Sequence, residues 1–189
     1  GLTANNIFPI GDLYTTPALI DEVIHMYIAT DLVEGEQHLD EDEFDRYCLH
    51  LIVIDRSNDE VIATYRVHPG EVAQQGLGFY SEQEFKLGGL DRIAARTVEV
   101  GRSCVKPEFR NGAIVALLWA GMAAVHERPR CHYLLGCVSL PTADPVIGQA
   151  VCEFLKSKGD VFIHEIDVAV QAEFAMPEVD AAAVKEYTE

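Results

Sequence analysis

Residues 96–125, RTVEVGRSCVKPEFRNGAIVALLWAGMAAV, decide the predicted fold of this chain. In 97–105, β-branched residues alternate with polar ones, which predicts a strand. Pro107 cannot continue a strand ladder, and an Arg-Asn-Gly turn then leads into an apolar run, 113–125, interrupted only by Gly121. The stretch is therefore predicted to fold as strand, turn and buried helix.

The start of this predicted helix is a candidate anion site. Backbone N–H groups in the first turn have no partner within the helix, and an anion can bind them. The residues expected to hold a phosphate-bearing donor are Lys106, Arg110, Asn111, Gly112 and Ala113. An ionisable strand that leads into such a site suggests a transferase. The alternative is an ordinary helix start with an exposed arginine.

Length and composition predict a single domain, 1–189, with 1–16 and 171–189 as peripheral segments. No apolar run reaches the roughly 20 residues needed to cross a bilayer, and no signal-peptide pattern is visible at the start, so a soluble, cytoplasmic protein is expected. No metal site is expected, because the odd cysteine count and the absence of a CxxC motif favour reduced, mostly buried thiols over disulfides or zinc. The cysteines are Cys48, Cys104, Cys131, Cys137 and Cys152.

Charge is distributed unevenly along the chain. The formal net charge of -17 argues against nucleic acid and against an anionic membrane surface as main partners. Residues 1–60 carry fourteen acidic and two basic side chains, whereas residues 92–130 carry three acidic and seven basic ones. This basic segment surrounds the candidate anion site. Its members are Arg92, Arg96, Arg102, Lys106, Arg110, Arg128 and Arg130.

The remaining elements follow from local patterns. Helical spacing of apolar residues and β-rich runs separated by turn residues predict, in order, a helix at 17–33, a hairpin at 47–55 and 61–68, a short helical segment at 81–87 capped by Ser81, a strand at 131–138, a helix at 145–158 and a strand at 161–170. Asp144 is the expected cap of the helix at 145–158, and Gly159 its end. This order predicts an α/β (α+β) fold with a mixed sheet.

Five blocks in fixed order resemble one known family. They are DEFDRYCLHLIVID (42–55), YRVHP (65–69), GFYSEQEF (78–85), VEVGRSCVKPEFR (98–110) and LLGCVSLPTADP (134–145). They resemble the bacterial GNAT-superfamily N-acyltransferases that use acyl carrier protein. This group includes ornithine Nα-acyltransferases and N-acyl amino acid synthases recovered from environmental DNA, with acylhomoserine lactone synthases as more distant relatives. The resemblance covers about residues 38–150.

The resemblance implies a GNAT-like mixed sheet, flanked by helices and splayed open at its central strand. The exposed backbone of that strand would pair with the phosphopantetheine arm of an acyl carrier protein, with no permanently bound cofactor. A coenzyme A pyrophosphate needs several backbone donors, and RNGAI at 110–114 has one glycine where the family pattern has more. A carrier-protein arm brings a single phosphate and is therefore the expected donor.

Attack of an amine on a thioester needs a base and a group that stabilises the developing oxyanion, whereas a thiol of pKa about 8.5 leaves readily. Glu99 is the candidate base, because burial can make a carboxylate more basic. The alternative is a structural ion pair of Glu99 with Arg102 or Arg66. Backbone N–H groups of Cys104 and Val105 are the candidate oxyanion donors; the Cys104 thiol as nucleophile is a further alternative.

Other site residues are implied by matching family positions. Arg102 is placed beside Glu99 in the catalytic set, and the acceptor side is expected to carry the polar network Asp42, Glu43, Asp45 and Arg66. A solvated loop is the alternative for the acidic residues. The apolar helix offers an acyl pocket or simply core, with the candidates Leu118, Trp119 and Met122. One departure is that the arginine pair of the family's first helix is replaced here by Met26, Tyr27 and Ile28.

The leading interpretation is an N-acyl amino acid synthase, which moves a long-chain fatty acyl group from acyl carrier protein to the α-amine of a neutral or aromatic, tyrosine-like amino acid. The first alternative is an ornithine Nα-acyltransferase of ornithine-lipid synthesis, whose substrate would suit the acidic residues. The second is a non-catalytic acyl-carrier-binding domain, which the missing first-helix arginines favour and the presence of Glu99 and Arg102 disfavours.

Overall fold

A computed structural model describes residues 2–14, 23–34, 42–126, 131–137, 140, 142, 144–157, 165–175 and 177–187, with backbone only before residue 42. The chain divides into two compact units. The first comprises Gly1–Tyr80 and Ile93–Gly136, and the second Ser81–Arg92 and Cys137–Glu189. The assignment of 1–189 to one domain stays a prediction.

The first unit is built on a six-stranded mixed sheet. Its strands, in spatial order, are β1 (Leu2–Tyr14), β2 (Val23–Glu34), β3 (Leu49–Asp55), β4 (Glu60–Pro69), β6 (Thr97–Val105) and β7 (Tyr133–Leu135). All neighbours are antiparallel except β6 and β7, which are parallel. The predicted mixed sheet is therefore confirmed, and the strand predicted at 97–105 has the bounds expected.

The helix predicted over 17–33 is wrong where the structure describes it, because residues 23–34 form β2. This segment is rich in β-branched and aromatic side chains, and such residues favour a strand. It pairs along most of its length with β1, a strand that the sequence pattern did not predict, and also with β3. Ladder pairing on both sides therefore outweighs the helical spacing of its apolar residues. Residues 17–22 of the prediction lie outside the described part of the chain.

The hairpin predicted for β3 and β4 is confirmed, with antiparallel pairing from Leu49↔Val67 to Asp55↔Glu60. Short polar side chains bond the backbone of the turn. The Asp55 carboxylate accepts the Ser57 N–H at 2.9 Å, and the Asn58 amide oxygen accepts the Glu60 N–H at 3.1 Å. These contacts are the ones that turn residues of this type supply.

Helix α2 (Gly112–His126) covers one face of the sheet. Because strand side chains alternate between faces, the residues that meet it recur at every second position. The buried cluster between helix and sheet contains Leu51, Val53, Val67, Val98, Leu117, Leu118 and Met122. The intervening residues of the central strands, including Arg66 and Glu99, therefore point to the opposite face.

Helix α1 (Gly70–Gln75) begins directly after β4, and its first residue has no room for a side chain. A Cβ on Gly70 would overlap sterically with the Ala94 carbonyl oxygen and would lie 2.7 Å from the Thr97 carbonyl oxygen. Both oxygens belong to the backbone, so a side chain at residue 70 would fit only if the backbone moved. Gly70 therefore fixes how closely α1 approaches the start of β6.

We expect Gly70→Ala to lower the free energy of unfolding by about 1–3 kcal/mol, the usual cost of overpacking. The measurement is denaturant unfolding of both proteins. Gly112→Ala is the matched control, since a Cβ there meets nothing within 4 Å and alanine favours the helix. Equal stability of Gly70→Ala and wild type would contradict the prediction.

The second unit holds a separate two-stranded antiparallel sheet, β5 (Phe85–Gly88) with β8 (Asp167–Val170), and the helices α3 (Pro145–Ser157) and α4 (Ala181–Lys185). The helix predicted at 145–158 is confirmed, and the Asp144 carboxylate caps it by accepting the Val146 N–H at 2.9 Å. The helical segment predicted at 81–87 is wrong, because a 3-10 turn, Tyr80–Gln83, precedes β5.

Two predicted strands are found in part among the described residues. Within the strand predicted at 131–138, Tyr133–Leu135 form β7. Within the strand predicted at 161–170, Asp167–Val170 form β8, which pairs with β5. Residues 158–164, with Gly159, lie outside the described residues. Among the helices that the structure describes, none is long and apolar enough to span a membrane.

Candidate active site

Four charged side chains meet on the sheet face opposite α2, and we call them the Arg–Asp cluster: Asp42, Asp45, Arg66 and Arg102. Asp42 caps the 3-10 turn Glu43–Arg46 and Asp45 lies within it. Each carboxylate accepts the other residue's backbone N–H, at 3.1 and 3.2 Å. This reciprocal capping turns both carboxylates toward β4. There Arg66 donates to Asp42 at 2.7 Å and to Asp45 at 2.9 Å.

Arg102 completes the cluster from β6. It donates to Asp42 at 3.2 Å and lies 3.7 Å from an Asp45 carboxylate oxygen. The register of β4 and β6 shifts between Thr64 and Arg66, and Arg102 has a φ of 48° in the left-handed region. A bulge of this kind re-aims a side chain and is common beside functional sites.

The cluster has a fixed charge. Burial alone would raise the pKa of Asp42, but hydrogen bonds and charge from Arg66, and then Arg102, outweigh it and hold that pKa below its ordinary value. Burial opposes the charge of Arg66 in the same way, yet Asp42 and Asp45 raise the pKa of its guanidinium. The acceptor-side residues Asp42, Asp45 and Arg66 are thus brought together as predicted, but as ion pairs with one another. Glu43 lies on the same turn and is exposed.

Glu99 lies on β6 beside the cluster, and only 5 % of its surface is exposed. Its Oε2 accepts the backbone N–H of Tyr80 at 2.6 Å and is 3.9 Å from Nδ1 of His68. The salt bridges described for Arg66 and Arg102 run to the aspartates. Glu99 is therefore a buried carboxylate that accepts a backbone N–H from Tyr80 and faces His68.

Sequence reasoning missed His68 and Tyr80. His68 stands directly opposite Glu99 in the β4–β6 ladder, and its ring meets those of Phe44 and Phe79. A signal was present: residues two apart on a strand share a face, so His68 lies on the same side as Arg66. The hydrogen bond from the Tyr80 N–H had no such signal, because Tyr80 lies outside the strands, in the 3-10 turn Tyr80–Gln83.

The ladder between β6 and β7 stops beside this site. Pairing runs from Thr97↔Tyr133 to Glu99↔Leu135, and Gly136 and Cys137 are no longer in a strand. A Cβ on Gly136 would come within 2.8 Å of the Val100 carbonyl oxygen, so the strands part directly after a close backbone contact. From Val100 onward, no described residue pairs with the outer edge of β6. This is where a splayed sheet would open.

The predicted oxyanion donors lie farther along that edge. Cys104 is opposite Thr64 and Val105 is opposite Ala63 in the ladder with β4. The Cys104 side chain is exposed, whereas burial raises the pKa of the Cys48 thiol to about 12. Use of the Cys104 and Val105 N–H groups as donors to an oxyanion stays a prediction.

At the start of α2, where the donor phosphate is predicted to bind, two backbone N–H groups already donate to a capping side chain. The Asn111 side-chain oxygen accepts the N–H groups of Ala113 at 3.0 Å and Ile114 at 3.2 Å. Nε of Arg110 donates to the Val105 carbonyl at 3.0 Å, and Lys106 forms an ion pair with Glu60. A phosphate would therefore have to displace the amide of Asn111.

The predicted acyl-pocket residues line neither of the two best-defined cavities of the described residues. Leu118 and Met122 are buried in the core, and Trp119 is 53 % exposed with its ring edge toward Tyr65. An apolar cavity of about 290 Å³ lies instead at the start of β6. Its lining includes Leu49, Pro69, Thr97, Val98, Val125 and Cys131.

Other predicted features are only partly realised. The basic segment is not one surface in the first unit, since the Arg96 guanidinium lies 5.5 Å over the Tyr133 ring and Arg102 joins the aspartates; Arg128 and Arg130 lie outside the described residues.

All five cysteines are free, but Cys104, Cys137 and Cys152 are exposed rather than buried. Within the described ranges, no three metal-ligating side chains are grouped to hold an ion.

Comparison with known proteins gives a consistent result. A family model described as an acetyltransferase (GNAT) domain matches residues 26–120. Proteins named L-ornithine N(alpha)-acyltransferase are 36% identical over 132 residues in Brucella abortus, 38% over 123 in Agrobacterium fabrum and 37% over 118 in Rhizobium meliloti. The matches cover 66%, 61% and 59% of this chain and 47%, 42% and 40% of the relatives. The chain thus spans less than half the length of these relatives.

Proposed function

Because this chain belongs to the GNAT acetyltransferase family, we propose that it transfers an acyl group from a thioester to the α-amine of an amino acid. The observation that carries the proposal is the end of β6–β7 pairing beside a buried carboxylate. Unpaired backbone from Val100 onward offers amide partners to a thioester-bearing arm, and Glu99 lies where that open edge begins. Few groups are needed beyond these, because the thiol is a good leaving group.

Ornithine is the acceptor that we propose. The names of the relatives favour this alternative over the neutral or aromatic amino acid of the leading sequence interpretation. Asp42 and Asp45 are not the groups that would bind its second ammonium, because two arginines already neutralise them. The Arg–Asp cluster instead fixes the turn Glu43–Arg46 against the sheet, and Phe44 of that turn packs against His68 and Tyr80.

The proposed reaction begins with the loss of a proton from the acceptor ammonium to Glu99. The free amine attacks the thioester carbon, and the C–N bond forms as the carbonyl oxygen becomes anionic. Backbone N–H groups along the open edge of β6 stabilise that oxygen. The intermediate collapses with cleavage of the C–S bond, and the second proton of the nitrogen goes to the departing thiolate.

We propose acyl carrier protein with a long fatty acyl chain as the donor. Its arm brings one phosphate, which needs fewer donors than a pyrophosphate and would lie near Arg110 after displacing the Asn111 amide from the start of α2. The single glycine of 110–114 supports this choice, since several close backbone donors would be needed for coenzyme A. The apolar cavity at the start of β6 is a candidate receptacle for the chain.

We expect Arg110→Glu to weaken binding of the acyl carrier protein by roughly tenfold and to flatten its salt dependence, because a rim charge acts mainly through long-range attraction. Titration by surface plasmon resonance at two salt concentrations measures both effects. Arg56→Glu is the matched control, since Arg56 is exposed and pairs with Asp59 in the β3–β4 turn. Unchanged affinity of Arg110→Glu would mean that the donor docks elsewhere.

The function is tested by incubating the protein with lauroyl acyl carrier protein and an equimolar mixture of amino acids that includes ornithine and tyrosine. Mass spectrometry then identifies any amide product. N-lauroyl ornithine as the main product would support the proposal, and N-lauroyl tyrosine would return the acceptor to the neutral or aromatic class. Tight carrier binding without any amide would favour the non-catalytic alternative.

A further inference from the structure

His68 and Glu99 form a buried pair across two strands. They face each other in the β4–β6 register, and their surfaces are 3 % and 5 % exposed. Nδ1 of His68 is 3.9 Å from Oε2 of Glu99, and this nitrogen has no hydrogen-bond partner among the described residues. Buried nitrogens without a partner are rare because they cost roughly 1–3 kcal/mol. The unpartnered nitrogen of His68 therefore points to a functional role for this residue.

The imidazole is held by aromatic neighbours. The Phe44 ring meets it edge-on with centroids 5.9 Å apart, and the Phe79 ring is tilted at 6.2 Å. These contacts fix the ring plane without offering a polar partner. A change of about 1 Å at Glu99 would bring the two side chains into hydrogen-bond distance, and catalytic contacts often tighten in this way when substrate binds.

Three ionisable groups near this pair have pKa values that are shifted away from neutrality. Three neighbours keep one protonation state there: burial raises the pKa of Cys48 to about 12, the pKa of Asp42 is held below its ordinary value by its arginine partners, and the pKa of Arg66 is raised by its aspartates. The titratable and charged groups near the pair include Asp42, Asp45, Cys48, Arg66, Tyr80 and Arg102.

We propose that His68 is a positioning residue that acts through Glu99, taking from its carboxyl group the proton that the acceptor ammonium has released. This inference rests on the proposed function. The proton moves from the substrate nitrogen to Glu99 and then to Nδ1 of His68, which becomes an imidazolium. After the C–N bond has formed and the thiolate has taken the second nitrogen proton, the imidazolium returns its proton through Glu99 to solvent.

The benefit is a stronger effective base. A free imidazole binds a proton about a hundredfold more tightly than a free glutamate carboxylate. An ammonium is a weak acid, so a proton that it transfers to a carboxylate alone would soon return to the amine. Passing the proton on to His68 keeps the amine in its nucleophilic form for longer, while Glu99 remains the group that touches substrate.

The kinetic test compares rate–pH profiles of wild type, His68→Gln and His68→Phe with ornithine and an acyl carrier protein thioester. We expect kcat near neutral pH to fall by about tenfold or more in both variants. We also expect the acid limb to move to lower pH, because the carboxylate alone then titrates. His68→Phe keeps the aromatic packing if the glutamine variant is unstable, and the exposed His132→Gln is the matched control.

A lower kcat with the acid limb unmoved would overturn the proposal, since a purely structural role predicts that pattern. The second measurement does not need activity: the His68 imidazole is titrated by NMR in wild type and in Glu99→Gln. We expect its titration to move to lower pH in Glu99→Gln, because a carboxylate 3.9 Å away favours the charged ring. An unmoved titration would also overturn the proposal.

Failure of the proposed function is recognisable separately. A wild-type protein that acylates no amino acid overturns the function, and the transfer of a substrate proton through His68 with it, whatever the NMR titration gives. An active wild type whose two His68 variants keep the wild-type acid limb overturns the role of His68 alone.

Discussion

The Glu99→Gln variant is expected to lose about a hundredfold or more of its turnover, because a positioned general base contributes roughly that factor. The amide side chain has nearly the same shape and its oxygen can still accept the Tyr80 N–H that Glu99 binds at 2.6 Å. Removal of the base therefore leaves the local contact intact. The measurement is steady-state formation of acyl-ornithine, with binding of the acyl carrier protein followed in parallel.

Donor affinity should stay close to the wild-type value, since in the proposed complex the open edge of β6, rather than the carboxylate, would hold the thioester arm. Glu173→Gln is the matched control, because Glu173 is exposed and belongs to the second unit. Wild-type turnover of Glu99→Gln would remove Glu99 from the role of base and would favour a purely structural pairing of this residue.

The Arg66→Met variant should lose about 3–5 kcal/mol of unfolding free energy, the usual cost of removing one partner of a buried ion pair. Methionine fills much of the same volume, so the loss comes from Asp42 and Asp45, which would remain close together with only Arg102 to offset their charge. Urea unfolding measures it. Arg56→Met is the control, and its exposed pair with Asp59 should contribute at most about 1 kcal/mol.

This loss should depend on pH in a defined direction. The folded-state pKa of Asp42 is below its ordinary value of 3.8, so its ion pairs stabilise the wild type above that pH and the contribution disappears as pH falls through the lowered pKa. The gap between wild type and Arg66→Met should therefore narrow in acid. A double variant, Arg66→Met with Asp42→Asn, should recover part of the loss at pH 7. Additive losses instead would show that the two residues are not coupled.

Local pattern was sufficient for the strand and helix at the centre of the chain and for the β3–β4 hairpin. It was insufficient for β2, because apolar spacing in that segment suits a helix, whereas its strand conformation depends on pairing with β1 and β3, which a local pattern does not show. The same limit explains β8, whose partner β5 lies about eighty residues earlier and was taken for part of a helix.

The site was predicted unevenly for a related reason. Arg66, Glu99, Asp42 and Asp45 are carried by sequence blocks, so the resemblance placed them. Their pairing was not predictable, since Asp42 and Arg66 are joined only by the folding of a turn onto a strand. His68 was overlooked although its spacing from Arg66 places both residues on one face of β4, because that spacing suits a core histidine equally well. Its position opposite Glu99 is visible only in the strand register.

The close contact between Gly136 and the Val100 carbonyl has a consequence for how acyl preference can evolve. Backbone atoms fix the fork, which is the point where β6 and β7 separate. Substitution of nearby side chains therefore leaves the position of the fork unchanged. Under the proposed function, replacements around the cavity at the start of β6 would change the length of the acyl chain that fits, while the distance from the fork to Glu99 would stay the same. Selectivity for chain length and the proposed amide formation would then be separately adjustable.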